Sequence, residues 1–242
     1  MRYPFLLFDA GETLFGPRES WGTVYARVLR PLGVERSPEH FDEAIRWVWQ
    51  ELERQVPRGT DRYAQFDGGE DGYWRRFASG AIGHALGRPI DGRLVETALP
   101  LLRAAFREPA VWRVYPEVRE TLATLRFLGA RLAIVSNWDS RLPYLLDLLD
   151  LDDLADAVVV SHLVGVEKPD PRIFRIAMER IGADPARTLH VGDAPECDLE
   201  GARAAGVDAL LVDRRGRLDP SYRALRDLRG VVEIASAAAD AS

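Results

Sequence analysis

Four apolar residues in succession, Phe5 to Phe8, end on a carboxylate, Asp9, and the chain then passes Gly11 to a second apolar pair, Leu14 and Phe15. A short apolar run bounded by turn residues predicts a strand buried on both faces, as in a parallel sheet. Beyond it the period changes. Ser37 and Pro38 have the form of a helix start, and Phe41, Ile45, Val48, Trp49 and Leu52 follow at helical spacing. Segments 72–87 and 92–108 predict two further helices, and the glycine- and acid-rich stretch 56–72 between the helices reads as a loop, solvated at "DGGEDG". No alternating strand pattern precedes residue 130, so 16–112 reads as a helical insertion after the first strand.

From Tyr115 the pattern becomes regular. Segment 116–130 is a proline-started amphipathic helix with a glycine near its end, and "RLAIVSN", 131–137, is a buried strand ending in small polar groups. A helix near 142–149, strand 156–162, helix 171–182, strand 188–193, helix 198–206 and strand 208–213 follow. Strands alternating with helices at this spacing mean βαβ units. The expected fold is α/β: a doubly wound, Rossmann-like parallel sheet core made of 1–15 and 113–242, with an α-helical domain over 16–112. The low-complexity end, 235–242, reads as a frayed tail.

Composition narrows the partners. With 242 residues, 47% hydrophobic content and a net charge of −6, the chain can bury a large core but has no basic footprint for nucleic acid or an anionic membrane surface. The first apolar run is too short for a signal peptide or a membrane span, and one cysteine, Cys197, allows no internal disulfide, so a cytoplasmic protein acting on a small molecule is expected. His40, His84, His162 and His190 show no metal-ligand spacing. Nothing speaks to oligomeric state. Of 32 basic residues only Lys168 is lysine. Arginine cannot replace a compact ammonium in a tight site, so this lysine is a candidate for a specific task, with chance survival as the alternative.

The residues just past the core strands are Asp9, then Ser136 and Asn137, then Lys168 in "EKPDP", then Asp193 and Asp198 in "GDAPECD". In an open α/β sheet these ends share one edge. Three carboxylates, a hydroxyl and a lysine there suit Mg2+ and a phosphate group, with carboxylates and a backbone carbonyl on the ion and Ser136 and Lys168 on the anion. In order, "FDAGETL", "VSN", "EKPDPRIF" and "VGDAPECD" resemble the four motifs of the haloacid dehalogenase-like hydrolase superfamily, and the resemblance covers nearly the whole chain, with a helical cap inserted after the first motif. It implies that Asp9 is a nucleophile forming an aspartyl intermediate, that Ser136 binds the transferred group, and that Lys168 neutralises charge on both. It further implies that Asp193, Asp9 and the Gly11 carbonyl ligate magnesium while Asp198 supports that acidic loop or joins the metal set.

The sequence departs from this pattern at one place. Phosphatases of the superfamily carry a second aspartate two residues after the nucleophile, as acid and base, where this chain has Gly11; the next residue, normally glycine, is Glu12, the nearest replacement carboxylate. Gly11 could serve by adopting a positive φ. The expected function is a magnesium-dependent phosphatase of a small phosphorylated metabolite. The alternatives are a metal-free 2-haloacid dehalogenase, against which Asp193 argues, and a non-catalytic phosphate-binding or interaction protein. Simpler readings stay open: Asp9, Asp193 and Asp198 as helix caps, Ser136 and Asn137 as turn residues, and Cys197 as filler. Trp21, Trp47, Trp49 and Trp74 read as packing among the inserted helices, and Trp138 as a residue lining the site.

Overall fold

The computed structural model describes residues 1–237. Of the expected frayed tail, Ala235 and Ser236 instead close a helix, and 238–242 lie outside the described residues. In chain order the elements are β1 (Phe5–Phe8), β2 (Phe15–Pro17), α1 (Trp21–Leu29), α2 (Pro38–Glu53), α3 (Gly69–Leu86), α4 (Gly92–Ala105) and β3 (Trp112–Val114). These are followed by α5 (Val118–Phe127), β4 (Arg131–Ser136), α6 (Leu142–Leu148), β5 (Ala157–Val160), α7 (Ser161–Val164) and α8 (Pro171–Ile181). The chain continues through β6 (Thr188–Gly192), α9 (Gly201–Ala204), β7 (Asp208–Val212), β8 (Ala224–Leu225) and α10 (Arg229–Ser236).

Six strands form one sheet in the order β5-β4-β1-β6-β7-β8, all neighbours parallel. β1 lies centrally, and Leu6, Leu7 and Phe8 are all at most 1% exposed, as covering on both faces requires. One face packs on Ile173, Phe174, Ala177, Met178 and Ile181, the apolar stripe of α8, together with Ala202, Ala205 and Val207. α8 starts where its sequence says it should: the Asp170 side chain accepts from Arg172 N at 2.8 Å, Pro171 follows, and Gly182 ends it at a φ of 62°.

Two compact units emerge: 1–16, 58–60 and 114–242, containing the sheet, and 17–57 and 61–113, containing α1 to α4. Within the helical unit Trp21 packs on Phe106 and Trp112, Trp49 on Phe77, and Trp74 on Tyr73 and Phe77. Several local expectations change. Short strands occur before residue 130, because β2 and β3 pair into a second sheet through which the chain leaves and re-enters the first unit. The "DGGEDG" stretch is not all loop: α3 begins at Gly69, and Glu70 and Asp71 sit in its first turn, where carboxylates oppose the helix dipole favourably. Residues 58–60 group with the sheet unit because Gly59 O accepts from Glu167 N at 3.2 Å and Thr60 bridges Val166. The helix expected over 198–206 is a widened turn, Pro195–Glu200, running into the short α9.

Candidate active site

Register builds the site. Phe8 of β1 pairs with Ile134 on one side and Val191 on the other, so the residues past these strands share one edge of the sheet. Asp9 is anchored there by its own N–H, which donates to Val191 O at 2.9 Å. Its Oδ1 accepts from Ser136 Oγ at 3.0 Å and from Lys168 Nζ at 2.6 Å. Lys168 arrives on the loop after β5 and α7, is 3% exposed, and donates a second bond of 2.6 Å to Asp198 Oδ1. Burial opposes the ammonium, but Asp198 and Asp9 outweigh it and hold the lysine charged well above its ordinary range. Asp198 moves the other way: burial raises it, and Lys168 with the His190 hydrogen bond more than reverse that.

Asp193 stands apart from this network. Its carboxylate has no hydrogen-bond donor among the described residues, and a cavity of about 150 Å³ opens beside it, lined by Glu12, Asp213, Arg214, Arg215 and Arg217. Burial, then the charges of Asp9 and Asp198, push it up to about 8. One carboxylate oxygen from each of Asp9, Asp193 and Asp198 lies within 4.8 Å of the others. With all three carboxylates ionised, one ammonium leaves an excess of negative charge that a divalent cation would match, and hard oxygen donors suit magnesium. Asp198 has the least capacity for an ion, since Lys168 and His190 hold Oδ1 and Ala194 N donates to Oδ2 at 2.9 Å. Asp9 Oδ2 and the Asp193 carboxylate accept no hydrogen bond among the described residues and keep free oxygens for an ion; the Gly11 carbonyl likewise accepts no backbone hydrogen bond among them.

Other expected site residues are used differently. Asn137, expected at the substrate, clamps the backbone: Nδ2 donates to Lys168 O at 2.8 Å and Oδ1 accepts from Lys168 N at 2.7 Å. Cys197 fills space against the same carbonyl, 3.7 Å away. Gly11 does not take a positive φ; Glu12 does, at 56°, which is why a glycine suits that next position. Glu12 is also no ready substitute acid, because Tyr115 Oη donates to its Oε2 at 2.8 Å and Arg215 Nη2 to its Oε1 at 2.7 Å. Burial and the Glu12 charge hold the Tyr115 phenol up at about 12. Arg214 completes this side, paired with Glu117 at 2.7 Å, donating to Thr13 O at 2.6 Å and stacked 3.8 Å over the Tyr115 ring.

His190 was missed by sequence reasoning. It is fully buried in β6, and its Nε2 lies 2.9 Å from Asp198 Oδ1. The lowered Asp198 is acceptor-only, so Nε2 carries the proton, while Nδ1 is buried without a partner among the described residues. The sequence signal was present: a histidine inside an otherwise apolar strand, three residues before Asp193.

The model of one protein family, haloacid dehalogenase-like hydrolase, matches residues 5–206. The chain belongs to that family. It is 32% identical over 218 residues to the human haloacid dehalogenase-like hydrolase domain-containing protein 3, a match covering 90% of this chain and 85% of the relative. It is 31% identical over 224 residues to the phosphoserine phosphatase of Thermus thermophilus, covering 86% and 88%. The crystal structure of a haloacid dehalogenase-family phosphatase from Thermococcus onnurineus superposes with a TM-score of 0.65 at 26% identity, covering 96% of this hydrolase and 97% of that chain.

Two outcomes follow from the site's packing and charge. A Cβ on Gly192 would stand 2.2 Å from Asp198 Cγ, so Gly192→Ala should displace Asp198 from Lys168 and lower the melting temperature by several degrees in a thermal unfolding scan, on the order of 1–3 kcal/mol of overpacking. Asp193 is raised from 3.8 to about 8 on folding, so between those values the folded, cation-free protein holds a proton that the unfolded chain has released. Its contribution to stability is therefore lost as pH rises through that window. Chemical denaturation from pH 4 to 8 should show this loss, and Asp193→Asn should flatten it; an unchanged pH dependence in the variant would refute the assignment.

Proposed function

We propose that this hydrolase is a magnesium-dependent phosphatase of a small phosphorylated metabolite, working through an aspartyl-phosphate on Asp9. The observation behind this is the convergence on one carboxylate: Ser136 Oγ and Lys168 Nζ both hold Asp9 Oδ1, while Asp9 Oδ2 has no donor among the described residues. In this reading Lys168 fixes the rotation of the carboxylate and offers a positive charge to the phosphoryl oxygens, and the Ser136 hydroxyl turns from Asp9 to donate to them once phosphate is bound. Asp198, steadied by His190, keeps the ammonium aimed at Asp9. Asp9, Asp193 and the Gly11 carbonyl would hold a magnesium ion, which would neutralise phosphate charge.

Phosphatases among the relatives support this reading, and the three-carboxylate cluster favours it over a metal-free dehalogenase, whose attack at carbon has no use for an excess of negative charge. Position 11 offers no acid, and the Glu12 carboxylate is held by Tyr115 and Arg215. Leaving groups that depart as stable anions should therefore be preferred over alkoxides by about 10²–10⁴-fold, the usual value of general acid help.

The test is phosphate release from a panel of phosphate esters, with 2-haloacids in parallel for halide. Asp9→Asn and Asp193→Asn should each fall to background, and Mg2+ should raise the melting temperature of the unmodified protein but not of Asp193→Asn. Lys168→Arg should be nearly as damaging as Lys168→Ala, because a planar fork cannot occupy a buried site shaped by two 2.6 Å contacts to a single nitrogen. Halide release in the presence of a chelator, or phosphate release unaffected by one, would overturn the reading.

A further inference from the structure

Gly11 and Trp138 compete for one volume. A Cβ built on Gly11 would lie 2.9 Å from Trp138 Cζ3, with Cη2 at 3.7 Å and Cε3 at 3.8 Å, so the indole already stands where any side chain at position 11 would begin. The backbone that carries the ring is held in place. The Trp138 N–H donates to Ser161 Oγ at 3.1 Å, and Trp138 O accepts from Ser161 Oγ at 3.2 Å and from His162 N at 3.3 Å. The indole packs on Phe15, centroids 5.5 Å apart and planes tilted by 52°, and Phe15 is fully buried. A methyl group at position 11 must therefore displace the indole. Glycine at 11 is therefore a steric requirement of Trp138, since its φ lies outside the left-handed region.

The ring's place next to the chemistry gives it a use. Gly11 is two residues past Asp9, and Trp138 is two residues past Ser136, whose hydroxyl bonds the Asp9 carboxylate. The indole is only half-buried. We propose that Trp138 is the specificity-determining residue of this site, an apolar wall over Gly11 that stacks on the flat leaving group of an aryl phosphate. This rests on the phosphatase reading and deepens it. A site without an acid beside the nucleophile is limited to leaving groups that are stable as anions, and a phenolate has both that property and a flat apolar face to lay on an indole. Gly11 leaves the room in which the indole sits.

The test is a two-by-two set of variants, unmodified, Gly11→Ala, Trp138→Ala and both, each assayed with phenyl phosphate and ethyl phosphate and each melted in the absence of substrate. Trp138→Ala should lower the aryl-to-alkyl ratio of kcat/KM about tenfold, mostly through KM for phenyl phosphate, as loss of one ring stack does. Trp138→Phe should recover most of that ratio. Gly11→Ala, by pushing the indole aside, should lower the ratio in the same direction. It should also lower Tm by about 3 °C in the unmodified background. With Trp138→Ala the same methyl group has nothing to strike, and by restricting the unfolded chain it should leave Tm unchanged or raise it slightly. Additive Tm effects of the two substitutions would overturn the steric pairing. An aryl-to-alkyl ratio unchanged in Trp138→Ala would overturn the wall. No phosphate from either ester in the unmodified protein, with the Tm coupling present, would overturn the phosphatase reading and the leaving-group role together, and leave the pairing of Gly11 with Trp138 standing.

Discussion

A buried ammonium between two carboxylates organises the end of this sheet. Lys168 Nζ lies 2.6 Å from Asp9 and 2.6 Å from Asp198, with all three side chains at most 9% exposed. Removing any of these charges from water costs several kcal/mol, so each is tolerable only because the others are there, and deletion of one partner leaves an uncompensated charge worth on the order of 3–5 kcal/mol. Much of the local structure serves to keep that nitrogen where it is. Asn137 clamps its backbone in both directions, Ala194 N and His190 hold Asp198, and Gly59 ties the segment 58–60 to the loop through Glu167.

The same arrangement explains why Asp193 is different. Lys168 makes its two bonds to Asp9 and Asp198, and Asp193 is left with the repulsion of both carboxylates and no donor among the described residues. A site built only for stability would have a second cation there. Arg214 and Arg215 are close by on the loop after β7, but Arg214 is held by Glu117 and Thr13 and Arg215 by Glu12. A carboxyl group without a cationic partner is thus part of the construction, and the cluster it completes could hold a divalent ion.

Around the nucleophile candidate, steric demands replace the expected chemistry. Position 11 belongs sterically to Trp138, and the strained backbone falls on Glu12 at a φ of 56°, where Tyr115 and Arg215 hold the carboxylate. A left-handed conformation at a non-glycine residue costs roughly 1–2 kcal/mol, and the ion pair and phenol bond offset it. Glu12 therefore reads as a brace between the first turn and the loops after β3 and β7, a role its position in the sequence did not suggest.

The hydrophobic pattern alone determined the core strands, their alternation with helices and the gathering of Asp9, Ser136, Lys168 and Asp193 at one sheet edge, because strand period, helix period and the geometry of parallel crossovers are local or topological rules. The short strands β2 and β3 were too brief to show a period, and the first turn of α3 was hidden by glycines. Which partner each polar group takes was decided by tertiary structure. Asp9 meets Ser136 across 127 residues and Lys168 across 159, and Glu12 meets Tyr115 across 103. No pattern along the chain encodes such pairs, since they depend on which side chains packing brings within about 3 Å. The part played by His190 and the dependence of Gly11 on Trp138 became visible only when the sheet and its loops were assembled, because hydrogen bonds and excluded volume act between atoms in space and not between positions in a sequence.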